Sequence, residues 1–138
     1  MKIIFLDIEG VLSVSGRIDP LCCARLKQIL DSTQTNIVLS SSWRLYDDDF
    51  GFVLSKIAKY GIDREYFVDK TPSSAKGRAY EIYSWLQENP EVIKYVVLDD
   101  NDISDKYIPK DNFVQTDSYV GLSNNDMELC VKILGKEI

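Results

Sequence analysis

Histidine is absent from the 138 residues, which removes every Ser–His or Cys–His mechanism and every metal site built on imidazole. Cysteine is scarce: Cys22 and Cys23 are adjacent and Cys130 is remote. That is neither the even count of a disulfide framework nor the paired spacing of a zinc site, so buried free thiols are expected. Long apolar runs are missing. Stretches such as residues 3–6 and 95–98 are strand-sized, far short of the roughly 20 residues that cross a bilayer. The start, Met1-Lys2 and a short apolar run ending at Asp7, lacks the features of a secretory signal. A cytoplasmic protein with no membrane partner is the expectation. Positive charge is in the minority, 16 Lys and Arg against 22 Asp and Glu for a net −6, which opposes nonspecific binding of nucleic acid. Acid, base and metal chemistry must then use carboxylates, lysine, tyrosine or hydroxyls.

What is present suits one ordinary domain over residues 1–138, with 45% hydrophobic residues to build a core. Residues 2–6 form a continuous apolar run of β-formers that stops at Asp7, as a buried parallel strand does at a sheet edge. Asp19-Pro20 reads as an N-cap followed by proline at the first helical position, with Leu26, Ile29 and Leu30 on the apolar face. Further strands are expected at 36–39, 66–68, 95–98 and, more weakly, 113–116. Helices are expected after the acidic run Asp47, Asp48 and Asp49, which reads as a capping and solvated segment, and at about 75–88. Ser123 with Asp126 three residues on signals a closing helix.

Alternating strands and helices predict an α/β, three-layer Rossmann-like fold around a mostly parallel five-stranded sheet. In such a sheet the strand C-termini share one edge, where ligands bind. Three strands end in Asp7, Ser40 and the Asp99-Asp100 pair, so topology alone gathers a polar cluster. Asp7, Glu9, Asp99 and Asp100 would crowd negative charge there, which calls for a hard dication such as Mg²⁺. The set can run phosphoryl transfer. Asp7 serves as nucleophile, Mg²⁺ and Lys76 offset charge, Ser40 donates hydrogen bonds, and Glu9 is the acid and then the base. Lys76 is expected to open a helix.

Phe5-Leu-Asp7-Ile-Glu9-Gly-Val-Leu12 resembles the first motif of the haloacid dehalogenase (HAD) superfamily, Asp-x-Asp-Gly-Thr/Val. Ile37-Val-Leu-Ser40 resembles the second motif, Lys76 is similar to the third-motif lysine, and Val97-Leu-Asp99-Asp100 resembles a fourth motif of the double-Asp kind. Ser41-Ser-Trp43-Arg44, Val114-Gln-Thr116 and Gly121-Leu122 are similar to segments of small members grouped with RNA-repair proteins. The resemblance implies a phosphatase, a phosphoric monoester hydrolase, with strand order 5-4-1-2-3. It also implies Mg²⁺ held by Asp7, by one acid of Asp99-Asp100 with Asp100 favoured, and by the backbone carbonyl of Glu9. Ser41 and Arg44 are expected on the substrate side. Arg44 also has the Asp run as an alternative partner, and Asp102 reads equally as a turn cap or a holder of metal-bound water.

Glu9 departs from the usual Asp, with a precedent in the Asp-Ile-Glu-Gly of the enolase-phosphatase branch. It leaves open a second reading, a catalytically weak module that binds phosphate or a partner. The spans from Asp7 to Ser40 and from Ser40 to Lys76 have no room for a cap domain. An open site suits a large phosphorylated substrate such as a nucleic-acid end or a protein, while a nucleotide or small phosphoester also fits. Trp43 and Trp85 read as core or rim aromatics.

Overall fold

A computed structural model describes residues 1–45 and 49–136. Its elements in chain order are β1 (Lys2–Leu6), β2 (Ser13–Val14), β3 (Arg17–Ile18), α1 (Pro20–Thr33), β4 (Asn36–Leu39), α2 (Gly51–Ile57), β5 (Phe67–Lys70), α3 (Arg78–Glu88), β6 (Lys94–Asp99), β7 (Phe113–Gln115) and α4 (Asn124–Leu134). Five strands pair in parallel in the order β5-β4-β1-β6-β7. With the β2–β3 hairpin set aside, that is the expected 5-4-1-2-3 seen from the opposite edge.

Both faces of the sheet are buried, which explains why the strands read as unbroken apolar runs rather than as alternating ones. Ile4, Leu6, Ile37, Leu39, Val96 and Leu98 pack on one face against Leu26 and Ile29 of α1, Val53 of α2 and Cys130 of α4. Ile3, Phe5, Val38 and Val97 face the other way, against Ile82 and Trp85 of α3. Alternate side chains along a strand point to opposite faces, so one pentapeptide, residues 2–6, feeds two cores. The three cysteines are buried and free.

The local signals act as read. Asp19 accepts from the N–H groups of Leu21 and Cys22 to open α1, and Ser123 and Asp126 form a reciprocal capping box on α4. The acidic run is a different case. Asp47 and Asp48 lie outside the described residues. Asp49 pairs with Arg64 at 3.0 Å, while the residue that caps α2 is Phe50, without a side-chain bond. The hairpin β2–β3 between β1 and α1 is an addition to the expected plan. Among the described residues, neither crossover contains a cap module, and no helix is long and apolar enough to cross a membrane.

Candidate active site

The residues that follow the strands continue the parallel hydrogen-bond ladder past the strand ends. Asp7 N–H donates to Leu98, Ser40 N–H to Leu6, Thr71 N–H to Leu39 and Thr116 N–H to Asp99, all at 3.0–3.1 Å. The backbone is thus held rigidly where the side chains must meet. Each of Asp7, Asp99 and Asp100 offers a carboxylate oxygen, and the three oxygens lie within 4.8 Å of one another. Asp99, at the end of β6, is wholly buried, and Asp7 is 5% exposed.

Crowded carboxylates resist ionisation. Burial, and next the charge of Asp99, push the Asp7 carboxyl up to about 7, against the opposing pull of Arg78 and the Ile8 N–H. Asp100 is raised as well, first by burial and then by Asp99. Oxygen-only donors, excess negative charge and a partly open edge fit a hard divalent cation. Asp99 is the most committed of the three, since one oxygen accepts from the Asn101 N–H at 3.0 Å and the other from Arg78 at 2.6 Å. The Asp100 side chain instead stands over Gly10, whose φ is +80°. A Cβ added there would sit 2.3 Å from an Asp100 oxygen, so this turn requires glycine on both steric and backbone grounds.

The expected third-motif cation is displaced by two residues. Gly77, at φ +95° and ψ 176°, is not helical, so α3 starts at Arg78 and Lys76 lies in the turn before it. The Lys76 ammonium sits 4.5 Å above the Tyr80 ring. The cation at the carboxylates is Arg78, with Nη1 2.6 Å from Asp99 and 3.4 Å from Asp7. Burial works against the Arg78 charge, but the hydrogen bond that it donates to Asp99 and the nearby carboxylates outweigh it and hold the guanidinium above its ordinary range. A lysine in register with the family pattern draws attention in the sequence, while Arg78 stands out once the glycine break at Gly77 is taken seriously.

Arg44 is also reassigned. Its Nε donates to the Thr71 carbonyl, Nη1 to the carbonyls of Ser40 and Ser41, and Nη2 to Glu81 and Ser73. All five N–H groups are spent inside the protein, so Arg44 braces the loops after β4 and β5 rather than facing substrate. Glu81 of α3 completes the brace by accepting from the Ser74 N–H at 2.7 Å. Glu81 carries no motif signal, and only its buried position gives it away.

Ser40 is fully buried and Thr71, at the next strand end, is buried; among the described residues neither hydroxyl has a hydrogen-bond partner. Unpaired buried hydroxyls cost about 1–3 kcal/mol each, and both stand at the sheet edge occupied by Asp7. Ser41 Oγ accepts from the Trp43 N–H and so caps the short turn over Ser42–Leu45. Glu9 is exposed, and its carboxylate accepts from the Trp43 indole at 3.3 Å. Asp102 caps its own turn, accepting from Ser104 N–H and hydroxyl.

A parallel sheet in this order, with a carboxylate after the first strand, a hydroxyl after the second and an acidic pair at the fourth, defines a HAD-like domain of phosphohydrolase type. A family model described as "HAD domain in Swiss Army Knife RNA repair proteins" matches residues 3–127, and the chain belongs to that family. Neither a curated protein nor a solved structure matches it.

Proposed function

We propose that the chain is a Mg²⁺-dependent phosphomonoesterase that works through an aspartyl-phosphate on Asp7 and acts on a phosphorylated nucleic-acid end. The observation that carries this reading is the meeting of Asp7, Asp99 and Asp100 oxygens within 4.8 Å. The family's association with RNA repair and the absence of a cap module among the described residues support the substrate class.

Asp7 and Asp100 side chains would hold Mg²⁺ with the Glu9 carbonyl, and Asp99 would orient the site through Arg78. Bound Mg²⁺ supplies positive charge against the phosphoryl oxygens. Asp7 Oδ attacks phosphorus as the P–O bond to the leaving group breaks, and Glu9 gives its proton to the departing oxygen. Glu9, now a carboxylate, takes a proton from water. The resulting hydroxide displaces Asp7 from phosphorus, so phosphate leaves and the starting carboxylate is restored. The unpartnered Ser40 hydroxyl is available to a phosphoryl oxygen, as is that of Thr71. Arg78 adds fixed charge beside Asp7.

The purified protein should release phosphate from an aryl phosphate with Mg²⁺, and Asp7→Asn should abolish release while the circular dichroism spectrum is unchanged. Equal turnover by the Asn variant refutes the mechanism. The alternative, a weak or silent module that binds phosphate or a partner, is favoured by the tie between Glu9 and the Trp43 indole. Under it, Glu9→Asp sharply raises a low native rate. A high native rate eliminates it.

A further inference from the structure

A groove of about 400 Å³ runs beside the catalytic edge, between the β2–β3 hairpin and α2, and its walls carry Arg17, Lys56, Lys59, Trp43 and Tyr60. Three cations gather there in a chain of net charge −6. None forms an ion pair with a carboxylate among the described residues. Concentrating unpaired like charge has an electrostatic cost unless a polyanion shares the site.

The cations are interleaved with rings. Lys56 Nζ lies 5.6 Å from the Phe52 centroid and Lys59 Nζ 5.2 Å from that of Tyr60. Trp43 packs edge-on against Phe52 with centroids 4.9 Å apart. The groove also connects to the chemistry. Trp43 donates to Glu9, and groove-lining Ser13 is bridged to Glu9 and accepts from the Gly10 N–H. Cations together with part-buried aromatic rings are what a single strand of nucleic acid requires, phosphates on the former and bases on the latter. An acidic peptide would use the cations and leave the rings idle.

We propose that this groove seats the nucleotides next to the reacting end of a single-stranded nucleic acid, with Arg17, Lys56 and Lys59 on its phosphates and Trp43 as a base platform. The proposal extends the phosphatase reading by defining how the strand is held, and its binding step is independent of turnover. It is compatible with the acidic chain as a whole, because only a short segment is engaged.

The test uses the full chain in EDTA and a single-stranded RNA of about six nucleotides with hydroxyls at both ends, so that catalysis plays no part. Binding is read by fluorescence anisotropy and by quenching of Trp43, with Trp43→Phe identifying the quenched residue. Three phosphate contacts give a log–log salt slope of about −2, or about 20-fold weaker binding from 50 to 200 mM salt. Lys56→Gln/Lys59→Gln should weaken binding at least about tenfold and flatten the slope to about −0.7. The charge-matched control Lys132→Gln/Lys136→Gln, on and just after α4, should change neither. Absence of binding by the native chain, equal losses in the two double variants, or tighter binding of a phosphopeptide of equal charge overturns the proposal. An active phosphatase that fails here refutes the groove alone, and an inactive chain that binds as described refutes the catalytic reading alone.

Discussion

Arg78 donates from Nη1 to Oδ2 of the fully buried Asp99 across 2.6 Å. Asp99 is closed to solvent, and its two oxygens accept from this partner and from the Asn101 N–H. Removing one member of a buried pair leaves the other uncompensated. Arg78→Ala should lower stability by about 3 kcal/mol in metal-free urea unfolding and reduce kcat on an aryl phosphate. Arg78→Lys should recover part of the stability. An alanine variant with native unfolding would show that the pair contributes little.

Asp7 sets the pH behaviour of the metal-free protein. Its carboxyl titrates near 7 in the fold and near 4 in the unfolded chain. The native state therefore holds a proton that the unfolded state has released. Its stabilising contribution is full below pH about 4 and is lost as pH rises through about 7, on the order of 4 kcal/mol in total. In EDTA, Asp7→Asn should gain on the native protein between pH 5 and pH 8, and Mg²⁺ should raise the melting temperature more at pH 8 than at pH 5. A difference between variant and native chain that ignores pH would contradict the assignment of the proton to Asp7.

Arg44 should behave as a brace. The Arg44–Glu81 pair is nearly closed to solvent, with side chains 6% and 9% exposed, and Arg44 also holds three carbonyls. Arg44→Ala should cost about 3–5 kcal/mol. Arg44→Lys should lose much of that as well, because an ammonium cannot span the same fork of acceptors. Below the melting temperature, KM for an aryl phosphate should change little; a large KM rise in a well-folded variant would return Arg44 to the substrate side.

Gly10 tests the turn between nucleophile and acidic pair. Gly10→Ala places a methyl against the Asp100 carboxylate at a φ of +80°, so the loop must shift or Asp100 must swing away. The expected results are a loss of about 1–2 kcal/mol and weaker Mg²⁺ binding by calorimetry. Unchanged metal affinity would mean that Asp100 does not take part.

Much of this arrangement was readable in advance because it rests on short-range rules. An apolar run that stops at a carboxylate marks a strand end, and Asp19-Pro20 and the Ser123 box mark helix starts. Parallel topology then sends the strand ends to one edge. The misplacements were of another kind. Lys76 was expected to open α3, yet a single residue in an unusual backbone state, Gly77, moved the start of the helix and with it the identity of the cation. Arg44 reads as a substrate contact or a partner of the Asp run because nothing nearby in sequence shows that Glu81, 37 residues on, completes its burial.

By itself, the chain's amino-acid order determined the α/β alternation, the acidic character of one sheet edge and the carboxylate and hydroxyl groups gathered there in a protein without histidine, since composition and local periodicity act within a few residues. Tertiary structure alone decided which cation faces Asp7, which acid of the Asp99-Asp100 pair is left available, and that Arg17, Lys56 and Lys59 line one groove. Those outcomes depend on how separate elements pack. Packing is a property of distances between segments remote in sequence, on which neighbouring residues carry no information.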